Sequence, residues 1–384
     1  MRLAIITTHP IQYYAPIFKL LNERKRIDIK VFYTLGQENG DRYDHGFGKV
    51  ISWDIPLLDG YPYEWVQNTS SQPGSHHYKG IKTPTLIQQV QAWQPDVILV
   101  FGWAYQSHLK AIRYFKGKMP VYFRGDSTLL DESKGLKKLL KSIFLYWVYK
   151  HIDHAFYVGT NNKAYFKKYG LKDSQLSFAP HAIDNQRFAI DRKDDALALR
   201  QKLGVNNSDI LILFAGKFSD KKSPVLLADA FLNLKKTDVH LLFAGNGELE
   251  QQLKGKAQSA GNIHFMDFQN QLYMPVVYQA SNLFCLPSKG PGETWGLAVN
   301  EAMACGKAIL VSDKVGCAVD LVKEKYNGAI FKSGNITELT ACLKQLTASG
   351  PNLEDMGNHS AGLIKDWNFV KIAEAVETRL MEAK

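Results

Sequence analysis

The sequence predicts an α/β fold built from two doubly wound domains. Three observations carry this. The chain has 384 residues, about two domains at ordinary size, each long enough to bury its own core. Short apolar runs rich in Val, Ile and Phe alternate with helix-like segments, the pattern of buried parallel strands in βαβ units. A polar stretch at 184–209, DNQRFAIDRKDDALALRQKLGVNNSD, splits those runs into two series.

In the first series the runs are Leu3–Thr7, Ile29–Tyr33, Asp96–Phe101, Val121–Arg124 and His154–Val158. In the second they are Ile210–Ala215, His240–Ala244, Ile263–Met266, Leu283–Pro287 and Ala308–Val311. The closing segment DWNFVKIAEAVETRLMEAK reads as a helix. The expected domains are therefore 1–185, joined by a C-terminal helix at 366–384, and 186–365. Two such domains facing each other leave a cleft at the carboxyl ends of both sheets, the edge where open α/β sheets bind ligands.

Composition narrows the class. A hydrophobic fraction of 45% and a charged fraction of 22% are ordinary for a soluble globular protein. No run of 18 or more apolar residues suggests a membrane span. The opening MRLAIITTHPIQYY is too short an apolar run for a signal peptide and lacks a small-residue cleavage site, so it reads as a first buried strand. Cys285, Cys305, Cys317 and Cys342 show no metal-type spacing and read as free thiols of a reducing cytoplasm. The net charge is +10. Residues 1–190 hold 25 Lys/Arg and 15 Asp/Glu, against 22 and 22 in the rest. An anionic partner for the first half follows from that asymmetry. No nucleic-acid motif accompanies the charge, so nucleic acid is not the expected partner.

The strongest chemical signal is LPSKGPGETWGLAVNEAMACGKAIL, Leu286–Leu310. A strand ends, a loop with Gly290, Pro291 and Gly292 follows, and a helix begins near Trp295–Leu297 and stops at Gly306. Glu293 lies on the loop and Glu301 eight positions later. If most of that interval is helical, the carboxylates stand about 10–12 Å apart at 1.5 Å per residue, roughly the reach from a nucleotide sugar's hexose to its ribose. Carboxylates accept hydrogen bonds from sugar hydroxyls, and free amides at a helix start suit a diphosphate.

This string resembles the signature of glycosyltransferase family 4. Ser288, Glu293, Gly296, Leu297, Glu301, Ala302, Met303, Ala304, Cys305 and Gly306 all match it. The resemblance implies the GT-B architecture, two facing Rossmann-like domains with an inter-domain cleft, and sugar transfer from a nucleotide sugar with retention. It implies that Glu293 contacts the donor sugar and Glu301 the ribose. LILFAGKFSDKKSPVLLADAF resembles a second family motif. There Lys217 takes the place of the usual Arg, Lys222 matches the Lys, and Ser223 replaces a Gly. Two cations at a strand end neutralise a departing diphosphate, although Lys217 lacks the planar fork of Arg. Lys221 reads as a solvated turn residue. Gly245 and Gly247 sit between a strand and a helix, where a tight turn explains them equally well. HFMDFQNQLYMPVVYQASNLFCLPS resembles the base-pocket stretch, with Asp267 where the family usually has Gly. APHAIDNQRF resembles the linker around Pro180, Ile183, Asp184 and Phe188. The donor contacts implied are Gly216, Lys217, Lys222, Gly245, Asn246, Phe268, Glu293, Thr294, Trp295, Gly296, Leu297 and Glu301.

The first domain departs from the family. TTHPIQYYAP stands where members commonly carry a Gly-rich loop. His9, at a strand's carboxyl end, is a catalytic candidate or a structural histidine. Tyr13, with Pro10, Gln12 and Tyr14, begins the next helix on the acceptor side. No histidine transfers to VILVFGWAYQSH, where Phe101 or Gly102 holds the expected point. In YFRGDS, Arg124 binds phosphate and Asp126 holds an acceptor hydroxyl, or the two simply pair across a turn.

Lys134, Lys137, Lys138 and Lys141 share one helical face, while Leu136, Leu139, Leu140, Ile143, Phe144 and Trp147 form an apolar side. This fits an interfacial helix over 133–150 on an anionic membrane, or an ordinary amphipathic helix packed on its own sheet.

The expectation is a cytoplasmic retaining glycosyltransferase, peripheral at the membrane, moving a sugar from a UDP-sugar to a glycan or lipid-linked acceptor in cell-surface polysaccharide biosynthesis. Lys217, Lys222, Glu293, His9 and Asp126 are its catalytic set. No cofactor or metal is expected, because the lysines take the charge role of a divalent ion. The alternatives are a nucleotide-sugar 2-epimerase or phosphorylase of the same architecture, and a non-catalytic nucleotide-sugar-binding module.

Overall fold

The computed structural model describes residues 1–36, 42–44, 49–132, 135–258 and 260–382. The chain opens with β1 (Arg2–Thr7), α1 (Ala15–Arg24) and β2 (Asp28–Tyr33). A short antiparallel hairpin follows, β3 (Arg42–Asp44) and β4 (Lys49–Ile51), then β5 (Tyr63–Trp65) and α2 (Leu86–Ala92). Next come β6 (Val97–Phe101), α3 (Gln106–Phe115), β7 (Val121–Arg124) and α4 (Leu136–Tyr149). The series ends with β8 (His154–Tyr157), α5 (Thr160–Lys168) and β9 (Leu176–Phe178). Seven of these strands form one sheet in the order β5-β2-β1-β6-β7-β8-β9, parallel throughout.

The second series runs through α6 (Asn185–Ala189), α7 (Lys193–Lys202), β10 (Ile210–Ala215), α8 (Pro224–Leu232), β11 (Val239–Ala244), α9 (Glu250–Ala257) and β12 (Ile263–Met266). It continues with α10 (Met274–Ala280), β13 (Leu283–Leu286), α11 (Leu297–Ala304), β14 (Ala308–Ser312), α12 (Ala318–Leu321) and β15 (Gly328–Phe331). The helices α13 (Ile336–Leu346), α14 (Gly350–Ile364) and α15 (Phe369–Glu382) close the chain. Its six-stranded sheet has the order β12-β11-β10-β13-β14-β15 and is also parallel. Both sheets reverse direction beside their first strand, β1 or β10, the switch point where doubly wound sheets open a crevice.

The reason for the parallel arrangement lies in the burial pattern. All residues of β6, β10, β11 and β13 are buried, as strands covered by helices on both faces must be. One core gathers Ile98, Val100, Phe115, Phe123, Tyr149 and Phe166. The other gathers Ile212, Phe214, Phe218, Leu241, Phe243 and Leu310.

The chain divides into two units. The first comprises Met1–Asn39, Pro56–His181 and Phe369–Lys384; the second, Gly40–Ile55 and Ala182–Asn368. The final helix α15 is tied into the first unit by charge. Glu377, fully buried, accepts from Arg24 Nε at 2.8 Å and Arg24 Nη2 at 3.0 Å. Residues 40–55 group with the second unit although they lie in sequence between β2 and β5. Within that unit Asn270 Nδ2 donates to the Ser52 carbonyl at 2.5 Å, and the Leu272 amide donates to Asp54 Oδ2 at 3.0 Å. Trp53 meets Phe268 edge to face at 6.3 Å.

Candidate active site

Because its strands are parallel, the second unit brings the loops after β10, β11, β12 and β13 to one sheet edge. Every donor-side residue expected from sequence lies on those loops or on α11. The loops are stitched together by Asn246. Its Nδ2 donates to Asp267 Oδ1 at 2.8 Å and its Oδ1 accepts from the Phe268 amide at 2.9 Å. Its carbonyl accepts from the Phe218 amide at 2.9 Å. Gly245 is required here: its φ is +144°, and a Cβ on it would lie 2.0 Å from the Gly216 carbonyl oxygen. The loops after β10 and β11 can approach this closely because no side chain stands between them.

At this edge Lys222 Nζ lies 2.7 Å from Glu293 Oε2, and the same oxygen accepts from Ser288 Oγ at 2.9 Å. Glu293 is 5% exposed. Burial pushes its carboxyl up, but Lys222, Lys221 and the Ser288 hydroxyl outweigh burial and hold it below the usual carboxylate range. Ser288 is fixed in turn, its carbonyl accepting from Ser312 Oγ and, at 3.3 Å, from Ser333 Oγ. Lys221 is not the solvated turn residue expected from sequence: its Nζ donates to the Gly292 carbonyl at 2.8 Å and helps shape the Glu293 loop. Lys217 sits on the Gly216 loop, half-buried.

Gly296 caps α11 at φ +95°. A Cβ there would lie 2.9 Å from Val315 Cγ1, so the helix start presses against the neighbouring loop. Backbone bonds hold 293–295 in place, from the Gly316 amide to the Glu293 carbonyl at 3.0 Å and from the Cys317 amide to the Trp295 carbonyl at 2.9 Å. The helix begins at Leu297, so half of the interval between the two glutamates is loop rather than the mostly helical spacer assumed above. Glu301 is buried rather than solvated, and Oε2 accepts from the Tyr278 hydroxyl at 2.8 Å. Trp295 turns inward: its Nε1 donates to Asn300 Oδ1 at 2.9 Å and its ring packs 5.2 Å from Trp367. Its indole therefore belongs to the interior rather than to a donor contact. Thr294 and Leu297 remain half-buried beside it.

The first unit gathers a second group. His9 follows β1, half-buried, with Nδ1 3.0 Å from Thr8 Oγ1. Tyr13 is half-buried in a turn, not in a helix, since α1 starts at Ala15. Arg124 is committed to structure: Nη1 donates to the Ala179 carbonyl at 2.7 Å and Nη2 to the Pro180 carbonyl at 2.8 Å. Burial lowers its pKa to about 10. These bonds tie Arg124 to the 179–180 backbone, a structural role different from the Arg–Asp pair across a turn considered from sequence. Asp126 stays partly exposed, with Oδ2 3.7 Å from His181 Nε2.

Three features escaped sequence reasoning. His181 sits in the linker motif, buried, its ring parallel to Tyr14 at 6.4 Å, and neighbours Asp126 only through the fold. Tyr278 is a helix aromatic like many others until it meets Glu301. The Ser52–Asp54 segment has no motif; its one signal is a Trp between Ser52 and Asp54. Among the described residues no group of three or more His, Cys, Asp or Glu converges as a metal-holding cluster.

Two parallel α/β units, the second carrying a lysine–glutamate pair with a buried carboxylate at the carboxyl edge of its sheet, have the architecture of the GT-B fold. Residues 195–361 match the family described as Glycosyl transferases group 1. A D-inositol 3-phosphate glycosyltransferase of Geodermatophilus obscurus is 26% identical over 208 residues, 50% of this chain and 45% of that protein. A phosphatidyl-myo-inositol mannosyltransferase of Mycobacterium tuberculosis is 28% identical over 138 residues, 35% of this chain and 34% of that protein. The chain thus spans less than half the length of the curated relatives it matches. HepE of Anabaena, solved in complex with UDP and glucose, superposes with a TM-score of 0.72 at 18% identity, covering 100% of both chains. That likeness carries the fold.

Proposed function

We propose that the chain is a retaining glycosyltransferase that takes a sugar from a UDP-sugar and passes it to a glycan or lipid-linked saccharide in cell-surface polysaccharide assembly. The observation that carries the reading is the Lys222–Glu293–Ser288 cluster, half-buried at Lys222 and buried at the other two, at the carboxyl edge of the second sheet. An ammonium has three N–H donors, so Lys222 can pair with Glu293 and still meet a phosphate oxygen. Lys217, on the same loop, adds a second cation. As the C1–O bond to the diphosphate breaks, the electron pair moves to the phosphate oxygen, where these cations lower its energy. Glu293 then orients a sugar hydroxyl and Glu301 the ribose, its carboxylate positioned by the Tyr278 hydroxyl. The acceptor oxygen attacks the face the diphosphate leaves, and its proton passes to the departing phosphate oxygen. This keeps the configuration without an enzyme nucleophile. His9 and Asp126 belong to the acceptor side, on the first unit. The chemistry asks for no metal or cofactor beyond the substrate.

Support for the donor class comes from the family of residues 195–361 and from the UDP complex of HepE. The four free cysteines support a reducing, cytoplasmic setting. The deciding experiment is thermal-shift screening with UDP, GDP, ADP and their sugars, followed by NMR of the product's anomeric proton. Stabilisation by UDP-sugars and a product that keeps the donor's configuration are expected. Stabilisation by GDP alone overturns the base. Sugar conversion without an acceptor favours the epimerase, and binding without turnover across an acceptor panel favours a binding module.

A further inference from the structure

Helix α4 has two apolar faces. Leu145, Val148 and Tyr149 point into the core of the first unit, each no more than 2% exposed. Leu139, Leu140, Ile143, Phe144 and Trp147 stay exposed, Leu139, Leu140 and Ile143 by 57–62%. At 3.6 residues per turn these five fall within an arc of about 140°, so they form one continuous strip. A soluble surface seldom carries so dense a group of large apolar side chains without a partner.

The fringe of the strip is cationic. Lys141 on α4 and Lys150 at its C-cap are exposed. Arg113 of α3, also exposed, places its guanidinium 5.0 Å over the Trp147 ring, and Lys110 lies on the same helix. The α4 sequence LKKLLKSIFLYWVY contains no Asp or Glu. Two acids precede it, Asp131 and Glu132, and Glu132 is neutralised by Lys138 at 2.9 Å and by Lys168 at 2.5 Å. Of the charged side chains sequence placed on this helix, Lys134 lies outside the described residues, and the Lys137 side chain does also.

We propose that this face of α4 is a docking surface for an anionic lipid bilayer. The five apolar side chains enter the boundary between headgroups and acyl chains, while Lys141, Lys150 and Arg113 meet lipid phosphates. Trp147 sits where an amphipathic ring is at home, at the interface itself. Charge selects the occupant. A second copy of the chain would bring a like-charged fringe against this one, and an apolar protein partner would leave the cations unmatched. An anionic bilayer satisfies both the strip and its fringe. The excess of +10 carried by residues 1–190, against zero in the remainder, lies in the stretch that holds α4.

The test is co-sedimentation of the full chain with phosphatidylcholine vesicles, with and without phosphatidylglycerol, at low and high salt. The wild type should sediment with the anionic vesicles, less so at high salt, and stay in solution with phosphatidylcholine alone. The double variant Leu140→Gln, Ile143→Gln should bind about tenfold more weakly while keeping its Tm, because both side chains are already in water. Lys141→Glu with Lys150→Glu should lose the salt-sensitive part. Wild-type binding by the Leu140/Ile143 variant overturns the proposal, as does a wild type that never sediments with anionic vesicles. A dimer in analytical ultracentrifugation that the same variant dissociates, without vesicle binding, assigns the strip to a second copy instead. None of these readouts depends on sugar transfer.

Discussion

Lys222 and Glu293 meet at 2.7 Å between the loops after β10 and β13, and the carboxylate is almost wholly buried. Neither residue can be removed without leaving the other short of its partner. Lys222→Ala leaves a buried carboxylate without its main cation, a loss on the order of 3 kcal/mol. It also removes a charge from the leaving group, so kcat should fall by about 100-fold or more. Urea unfolding reads the first effect and steady-state turnover the second. Lys222→Arg should recover stability before activity, since it keeps the charge but not the geometry. Wild-type kcat in Lys222→Ala would contradict the assignment.

Trp53 touches Phe268 edge to face, and Phe268 is held by Asn246 at the expected base-binding edge. Trp53→Ala should weaken UDP binding by roughly three- to tenfold, the worth of one aromatic contact. Calorimetric titration checks this, with Phe268→Ala as the comparison. An unchanged Kd in Trp53→Ala would show that the segment only covers the second unit.

His108 carries a pH dependence of its own. It is fully buried, with Nε2 2.8 Å from Thr34 Oγ1 and Nδ1 3.0 Å from the Gly102 carbonyl, and burial lowers its pKa from 6.5 to about 4. Between those values the unfolded chain binds a proton that the folded chain refuses, so stability is full above pH 6.5 and is lost as pH falls towards 4. The loss assigned to this one ring is on the order of 2–3 kcal/mol. Urea unfolding of His108→Gln from pH 7 to pH 4 should give a shallower slope than wild type, even though the variant starts lower.

Two glycine substitutions should move in opposite directions. Gly245→Ala drives a Cβ into the Gly216 carbonyl at a φ that L residues avoid, and should cost about 3 kcal/mol. Gly255→Ala, in α9 with open space around it, should gain about 0.5–1 kcal/mol. Thermal unfolding of both separates the crowded turn from the merely flexible helix position.

Strands buried on both faces were plain in the sequence, because β6, β10, β11 and β13 are apolar at every position but His240 of β11. The short edge strands β5, β9 and β15 and the β3–β4 hairpin were not, since runs of three or four residues carry no period. On the donor side the motif glutamates and lysines lie along one edge, because parallel strands end together. What they touch was less legible. Sequence spacing does not show that Tyr278 reaches Glu301, that Lys221 reaches Gly292 or that Trp295 turns inward. That Arg124 Nη1 and Nη2 meet the Ala179 and Pro180 carbonyls is likewise visible only in the fold. His181 and Asp126 are 55 positions apart and neighbour each other only through the packing of β7 against the linker.

The grouping of residues 40–55 with the second unit has a practical consequence for anyone dissecting the gene. The polypeptide passes from one unit to the other four times, at 39/40, 55/56, 181/182 and 368/369, so no single cut yields two self-sufficient halves. A fragment spanning 182–368 would lack Ser52, Trp53 and Asp54, stripping Phe268 of its aromatic neighbour and the Leu272 amide of its acceptor. Supplying the missing strip as a separate peptide, or grafting it through a short linker, is the way to make that half stand alone.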